Sequence, residues 1–196
     1  MNRERDLAAV DNDFVLHLVE TNNLAIDVFT AISMLFDELN INPIMHQLVF
    51  QNELECKGAI LNQTQQNALK LFSKRIILVK NLSDIISGPG RSTYYKFLFT
   101  EIYNKFSEDP LPSIDILSDW VSQSSLGEVH SVVMCFFVNC GIFLSDDKKA
   151  RALKTYLTEY TSFEINIYNR QMACARAKEI GNGQVSRKIR KALSHN

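Results

Sequence analysis

The chain has little cysteine and no long hydrophobic run. Its four cysteines, Cys56, Cys135, Cys140 and Cys174, form no CxxC pair, so the common zinc and disulfide frameworks are excluded. Cys135 and Cys140 fall inside an apolar stretch and read as buried free thiols in a reducing compartment. The longest apolar stretch, Val132 to Leu144, is interrupted by Asn139 and is far shorter than the ~18 residues a membrane span needs. No signal-peptide apolar region stands in the opening MNRERDLAAVDND, and the expectation is a soluble, cytoplasmic protein with no membrane partner. Repeats, low-complexity segments and dividing linkers are missing as well, so residues 1–196 read as a single domain with length enough for a sizeable core.

A net charge of −1 argues neither for a basic coat nor for an acidic solvating tail. It conceals an asymmetry. Arg170, Arg176, Lys178, Arg187, Lys188, Arg190 and Lys191 stand against the lone acid Glu179, which predicts a basic helical tail over 170–196 and leaves the remainder acidic.

The apolar pattern predicts the elements. LAAV (7–10) reads as a strand that stops at the polar DND. Residues 13–40 carry apolar side chains at helical spacing, among them Leu24, Val28, Ile32 and Leu35. The stretch INPIMHQLVFQNELECK predicts a second helix ending near Gly58, and TQQNALKLFSKRIILVKNLSDII a third, stopped by SGPG. Between Ser87 and Ser113, loop chemistry flanks a helical middle, and residues 60–120 together read as a helical insertion. A helix from Ser125 closes at Asn139 or Gly141. IFLS is then a short buried strand, DDKKARALKTYLTEY a helix, and FEINIY a further strand. Two short helices hinged at GNG end the chain. Strands alternating with helices predict an α/β fold with a mainly parallel sheet covered on both faces.

Open parallel sheets gather ligands at the carboxyl ends of their strands. Asp11 follows the first predicted strand, and Asp146 and Asp147 follow IFLS. Right-handed crossovers bring such exits to one edge. Glu128, near the start of the preceding helix, reaches that edge if its helix begins there. Each acid also has a plainer reading. Ser125-Leu-Gly-Glu128 fits a capping box, Ser145 with two aspartates fits a helix start, and Asp11, Asp13 and Glu53 fit turn or solvated positions. Several carboxylates at one edge repel one another unless a cation compensates. Oxygen-only donors suit Mg²⁺ or Mn²⁺.

Three segments carry a resemblance. AAVDNDFVLHLVE resembles the opening of a PIN domain, a strand followed by D-x-N/D and apolar residues. GEVHSVVMCFFVNCGIFLSDDKKARALKTYL is similar to the Gly-Glu helix, apolar strand and S/T-D-D-x-x-A-R helix start of one branch of PIN-like proteins, and ARAKEIGNGQVSRKIRKAL resembles its A-K-x-x-G helix pair. The resemblance implies a three-layer, Rossmann-like fold and a Mg²⁺- or Mn²⁺-dependent nuclease acting on RNA. Toxins of toxin–antitoxin pairs belong to this branch, so an antitoxin or other protein is an implied partner, and a homodimer is compatible with it.

Carried across by position, the resemblance implies Asp11, Glu128 and Asp147 as metal ligands, with Asp146 as a neighbour that substitutes or assists. Glu53 is the implied second acid of a catalytic set made of Asp11, Glu53, Glu128 and Asp147; Glu55 is the alternative. Asp13 departs from the pattern, standing where many members carry an amide or hydroxyl, and the stretch between Glu53 and Glu128 is longer than in compact toxins. Phosphate near such acids needs flanking basic and stacking groups, for which Arg91, Tyr94, Tyr95, Lys148 and Arg151 are the candidates, while Asp13 is a further substrate-side candidate as an extra ligand or a group supporting one. His17, His46, His130 and His195 share no catalytic spacing and read as surface or packing residues. A PIN-like module that binds RNA or protein without cutting is the alternative function. A receiver domain ranks lower, because no lysine follows FEINIY.

Overall fold

Successive side chains of a strand point to opposite faces, and the two faces of the sheet follow from that alternation. In the computed structural model, which describes residues 5–21, 24, 26–56, 58–121, 125–181, 183 and 185–194, the order of elements is as follows. β1 (Asp6–Val10), α1 (Asn12–Val19) and α2 (Val28–Glu38) lead to β2 (Ile41–His46). Next come α3 (Gln47–Val49), which runs on as a π-helical turn (Phe50–Leu54), then α4 (Gln63–Ser73), β3 (Leu78–Lys80) and α5 (Leu82–Ile85). The second half holds α6 (Arg91–Phe106), α7 (Leu126–Phe137), β4 (Ile142–Leu144), α8 (Arg151–Thr161), β5 (Asn166–Tyr168), α9 (Arg170–Ile180) and α10 (Arg187–Ser194).

The five strands form one all-parallel sheet in the order β3-β2-β1-β4-β5. The chain builds outward from β1 through β2 to β3, then returns to β1's other side for β4 and β5. The switch point of this Rossmann-like order therefore lies between the carboxyl ends of β1 and β4. Ala8 and Val10 face one apolar layer with Phe14, Leu18, Ile32, Leu35 and Leu71, supplied by α1, α2 and α4 and continued by α9 and α10. Ala9 and Phe143 face the other, with Leu98, Phe99 and Ile102 of α6, Val129 and Val133 of α7, and Leu153 of α8. Helices on both faces of a central sheet make the three-layer α/β fold that the alternation predicts. Among the described residues no helix is long and apolar enough to cross a membrane.

The structure departs from the sequence reading at β2, β3 and the first long helix. INPIMH is an interior strand, although it contains Pro43. The Asp6 amide donates to Asn40 O at 3.1 Å, which turns the even-numbered backbone groups of this segment toward β1 and Pro43 toward β3. The β2–β3 ladder starts only at Ile44, so the missing N–H at Pro43 removes no ladder bond. The helix predicted across 64–86 stops at Ser73, because Arg75 turns left-handed at φ 57° and sends IILVK out as the edge strand β3. The stretch 60–120 is thus no helical insertion: it supplies a strand and a core layer. The helical segment expected over 13–40 is two helices, and Asn40, at φ 55°, is the left-handed turn between the second and β2.

The C-terminal helices dock through a buried acid. Glu38, at the end of α2, accepts the Val185 amide at 2.8 Å and pairs with Arg190 at 3.5 Å. Breaking a buried pair leaves an uncompensated charge and costs about 3–5 kcal/mol. Glu38→Ala is therefore expected to lower stability by about 3 kcal/mol. Amide hydrogen exchange in α10 should rise well before that of β1; uniform loss of protection would show that α10 has no independent dependence on Glu38.

Candidate functional site

Parallel pairing fixes the first acid. Asp11 follows Val10 directly, and its amide donates to Leu144 O at 2.9 Å, joining the exits of β1 and β4. Its extended backbone makes it the N-cap of α1: Oδ1 accepts the Asn12 amide at 2.8 Å. Oδ2 accepts the Ser145 hydroxyl at 3.0 Å. That hydroxyl in turn accepts the Asp147 amide at 3.2 Å. Ser145 thus links the two aspartates across the switch point. Asp147 also accepts the Lys149 amide at 2.8 Å, so the plain turn reading of SDD holds in part, although α8 itself begins only at Arg151.

Glu53 and Glu128 arrive from helices. Glu53 lies in the π-helical turn, where the Glu55 amide reaches back to Phe50 O at 2.8 Å. Such turns re-aim side chains and recur at functional sites. Glu128 stands in the first turn of α7, and Ser125 makes no side-chain cap there, so the capping-box reading fails. The residue between them in space is Gly127. A Cβ on Gly127 would overlap Glu53 Oε1 and sit 3.1 Å from its Cδ. Glycine here is a matter of close approach: it makes room for the Glu53 carboxylate beside Glu128. Of the two candidates for the second acid, Glu53 is the one aimed at the cluster.

Electrostatics shows the convergence. Burial, then the neighbouring Asp13 charge and more weakly Asp147, push Asp11 up to about 7. Burial, then Asp11 and Asp13, push Glu53 up to about 8. Burial, then Asp11, Glu53 and Asp147, push Glu128 up to about 9. Asp11 acts on both glutamates, and Glu53 and Asp147 act on Glu128, which a scattered set of surface acids does not show. The oxygen-only donors, their burial and their repulsion fit a hard divalent cation. Among the described residues, however, no three His, Cys, Asp or Glu side chains are gathered closely enough to hold a metal ion. The acids face a common region without closing on one centre.

Several sequence expectations need correction. Asp146 turns away from its neighbour: Oδ1 accepts the Arg170 amide at 2.9 Å, and Oδ2 meets the Arg170 guanidinium and His17 Nδ1, the latter at 2.9 Å. It fastens α9 and α1 to the β4 exit and does not serve as a spare ligand. Arg91 holds backbone carbonyls, Ile85 O at 3.0 Å and Phe137 O at 2.7 Å. Phe137 ends α7, nine residues beyond Glu128, about 14 Å along the helix axis. Tyr94 packs at that same end, against Phe136 and Phe137. Tyr95 is fully buried. Tyr95 is thus closed off from any substrate, and Arg91 and Tyr94 stand at the far end of α7 from Glu128.

Asp13 acts on Asp11 and Glu53, and Lys148 and Arg151 are exposed just past Asp147, the Arg151 guanidinium lying 3.8 Å from Met172 Sδ. The end of the basic tail lies elsewhere, since Glu38, which holds Val185 and Arg190, immediately precedes β2 at the opposite edge, whereas the tail's first residue, Arg170, is held by Asp146 at the β4 exit. His195 lies outside the described residues. His46 and His130 are core residues, and burial lowers both, His46 to about 3. Their link through Tyr95 was not foreseen; polar residues scattered across three segments give no local signal of meeting.

Two outcomes are expected. Gly127→Ala should displace Glu53 and relieve its repulsion with Glu128, so stability in EDTA holds or rises by up to about 1 kcal/mol, the usual gain of alanine over glycine in a helix. The stabilisation by Mn²⁺ should shrink; an unchanged Mn²⁺ response would remove Glu53 from the site. The second outcome concerns pH. The three raised carboxyls hold protons that the unfolded chain releases near 3.8 to 4.5. Their contribution to stability is complete below that range and is lost progressively as pH rises from it to the folded values of about 7 to about 9. The melting temperature in EDTA should fall over this window in the wild type and fall less in Glu128→Gln. Parallel profiles for the two proteins would refute the repulsion.

Comparison of the chain with family models, curated proteins and solved structures returned no match, so its function is argued from the geometry of this site.

Proposed function

We propose that the chain is a divalent-cation-dependent nuclease of PIN-like type that hydrolyses phosphodiester bonds of RNA. One observation carries the reading: Asp11, Glu53, Glu128 and Asp147, drawn from four segments, direct their charge into one region at the carboxyl edge of the sheet. Structural acids would be dispersed or paired with bases, as Asp146 is. These four have no basic partner among the described ion pairs.

In this reading Asp11, Glu128 and Asp147 would hold the cation and Glu53 would complete the set. A bound Mg²⁺ or Mn²⁺ supplies a water of lowered pKa and offsets charge on the phosphate. The chain's own contribution is placement. Ser145 and the Asn12 amide fix Asp11, the Lys149 amide fixes Asp147, and Gly127 admits Glu53. Exposed Lys148 and Arg151 stand where a phosphate approaching the acids needs positive charge. RNA as the substrate rests on the resemblance of the Gly-Glu helix and the SDD segment, and so does an inhibitory protein partner.

A second reading is favoured by the separation of the acids: a domain of this build that binds RNA without cutting it. Cleavage of a labelled RNA in Mn²⁺ separates the two. The expected result is cleavage by the wild type, abolished by EDTA and by Asp11→Asn and Glu128→Gln. Asp147→Asn should damage activity more than Asp146→Asn, which should instead lower stability, by about 2 kcal/mol for the loss of charge-assisted hydrogen bonds. RNA binding without cleavage in every metal supports the second reading. Full cleavage by metal-clean Asp11→Asn would overturn the assignment.

A further inference from the structure

Among the groups that the site does not use, one buried constellation stands out by position. His46, Tyr95 and His130 are sealed from solvent, at 0%, 0% and 1% exposure. His46 ends β2 and caps the helix that turns into the Glu53 segment. His130 stands two residues beyond Glu128 on α7. Tyr95 comes from α6 and reaches between them. We propose that Tyr95 is a positioning residue: its phenol oxygen sets the separation between the turn that carries Glu53 and the helix that carries Glu128. This rests on reading the four carboxylates as a cation site.

The hydrogen-bond direction follows from the caps. His46 Nδ1 accepts the Leu48 amide at 3.1 Å, so this nitrogen carries no proton and the hydrogen sits on Nε2. Nε2 lies 3.1 Å from the Tyr95 oxygen and donates to it. The phenol hydrogen is then free for His130 Nδ1 at 2.8 Å. The His130 carbonyl, at 3.4 Å, is a longer second acceptor for the phenol on the same residue, and the line runs from the start of one acid-bearing segment to the start of the other. The imidazoles also stack on each other, 4.9 Å between centroids, with Phe99 and Trp120 against His130 at 4.3 and 5.9 Å.

A dry core gains nothing from polarity that an apolar set of the same volume would not give. What the network adds is geometry, because directed hydrogen bonds admit one spacing while apolar side chains slide. Cation sites need that: ligands must be held within about 0.5 Å, and losing a supporting hydrogen bond commonly weakens metal affinity about 10- to 100-fold. Neither Glu53 nor Glu128 has a side-chain partner of its own among the described hydrogen bonds, so their relative placement depends on the backbones that bear them.

The test reads Mn²⁺ affinity of the folded protein, titrated by the free-Mn²⁺ paramagnetic resonance signal well below the melting temperature. Tyr95→Phe removes only the phenol oxygen. His46→Asn keeps an acceptor for the Leu48 amide and removes the link to Tyr95, so it replaces Tyr95→Phe should that variant fail to fold. Ile102→Val, buried on the same helix, controls for loss of stability alone. Both network variants should bind Mn²⁺ about tenfold more weakly than wild type, with Ile102→Val unchanged. Wild-type affinity in a destabilised Tyr95→Phe would overturn the inference while leaving the cation site intact, as would equal weakening by Ile102→Val. A wild type that binds no Mn²⁺ would overturn the cation site and this inference with it.

Discussion

Like charge collected at one edge of a parallel sheet is the constraint around which this molecule is organised. Parallel strands all exit together, and here the exits of β1 and β4 are tied by the Asp11 amide on Leu144 O. The first residues beyond them include Asp11 and Asp147. Two helices begin in the same region, with Asp11 as the cap of α1 and Glu128 in the first turn of α7. Their positive ends offset part of the repulsion. The offset is incomplete, because three of the acids remain pushed far above the ordinary carboxylate range. A fold that keeps such a cluster in the absence of a cation gives up stability at neutral pH, and an arrangement of that kind points to a ligand with positive charge.

The acids that stand apart from the cluster show the same economy. Asp146 is adjacent in sequence to Asp147, yet one step along an extended exit turns the side chain to the other side. There it meets Arg170 and His17 and locks α9 and α1 to β4. Glu38 does the same work at the opposite edge, where it receives Val185 and Arg190. Where acids serve structure, this chain pairs them with bases. Basic residues of the tail are drawn into that role, so the tail's charge is partly neutralised inside the fold.

How much of this could be read from residues varies with the range of the signal. β1, β4, α7 and the placing of Asp11, Glu128 and Asp147 rest on short apolar runs that end at acids, and the structure keeps them. β2 and β3 were hidden for local reasons: Pro43 argues against an interior strand until the ladder's alternation is known, and Arg75 is no conventional helix stop. Arg91, Tyr94 and Tyr95 were misread because a flexible-looking GPGRSTYYK gives no direction. The helical repeat Tyr95-Leu98-Phe99-Ile102 turns Tyr95 inward, and Arg91 finds its acceptors only at the far end of α7. The steric demand at Gly127 is likewise invisible in sequence, since it depends on Glu53, which lies far away along the chain.

The cluster divides into a fixed half and an adaptable half. Asp11 and Asp147 are held by backbone amides and the Ser145 hydroxyl, at the rigid exits of hydrogen-bonded strands. Glu53 and Glu128 reach in from a π-helical turn and a helix start, on longer side chains and with no side-chain partner among the described residues. Longer side chains on less constrained backbone have rotamers to spare. This division accounts for how the acids can interact electrostatically without closing on one centre. In the proposed reading the aspartates would define where a cation sits, and the glutamates would complete its coordination. What then limits closure is the separation of the two glutamate-bearing segments, and between those segments the core holds His46, Tyr95 and His130.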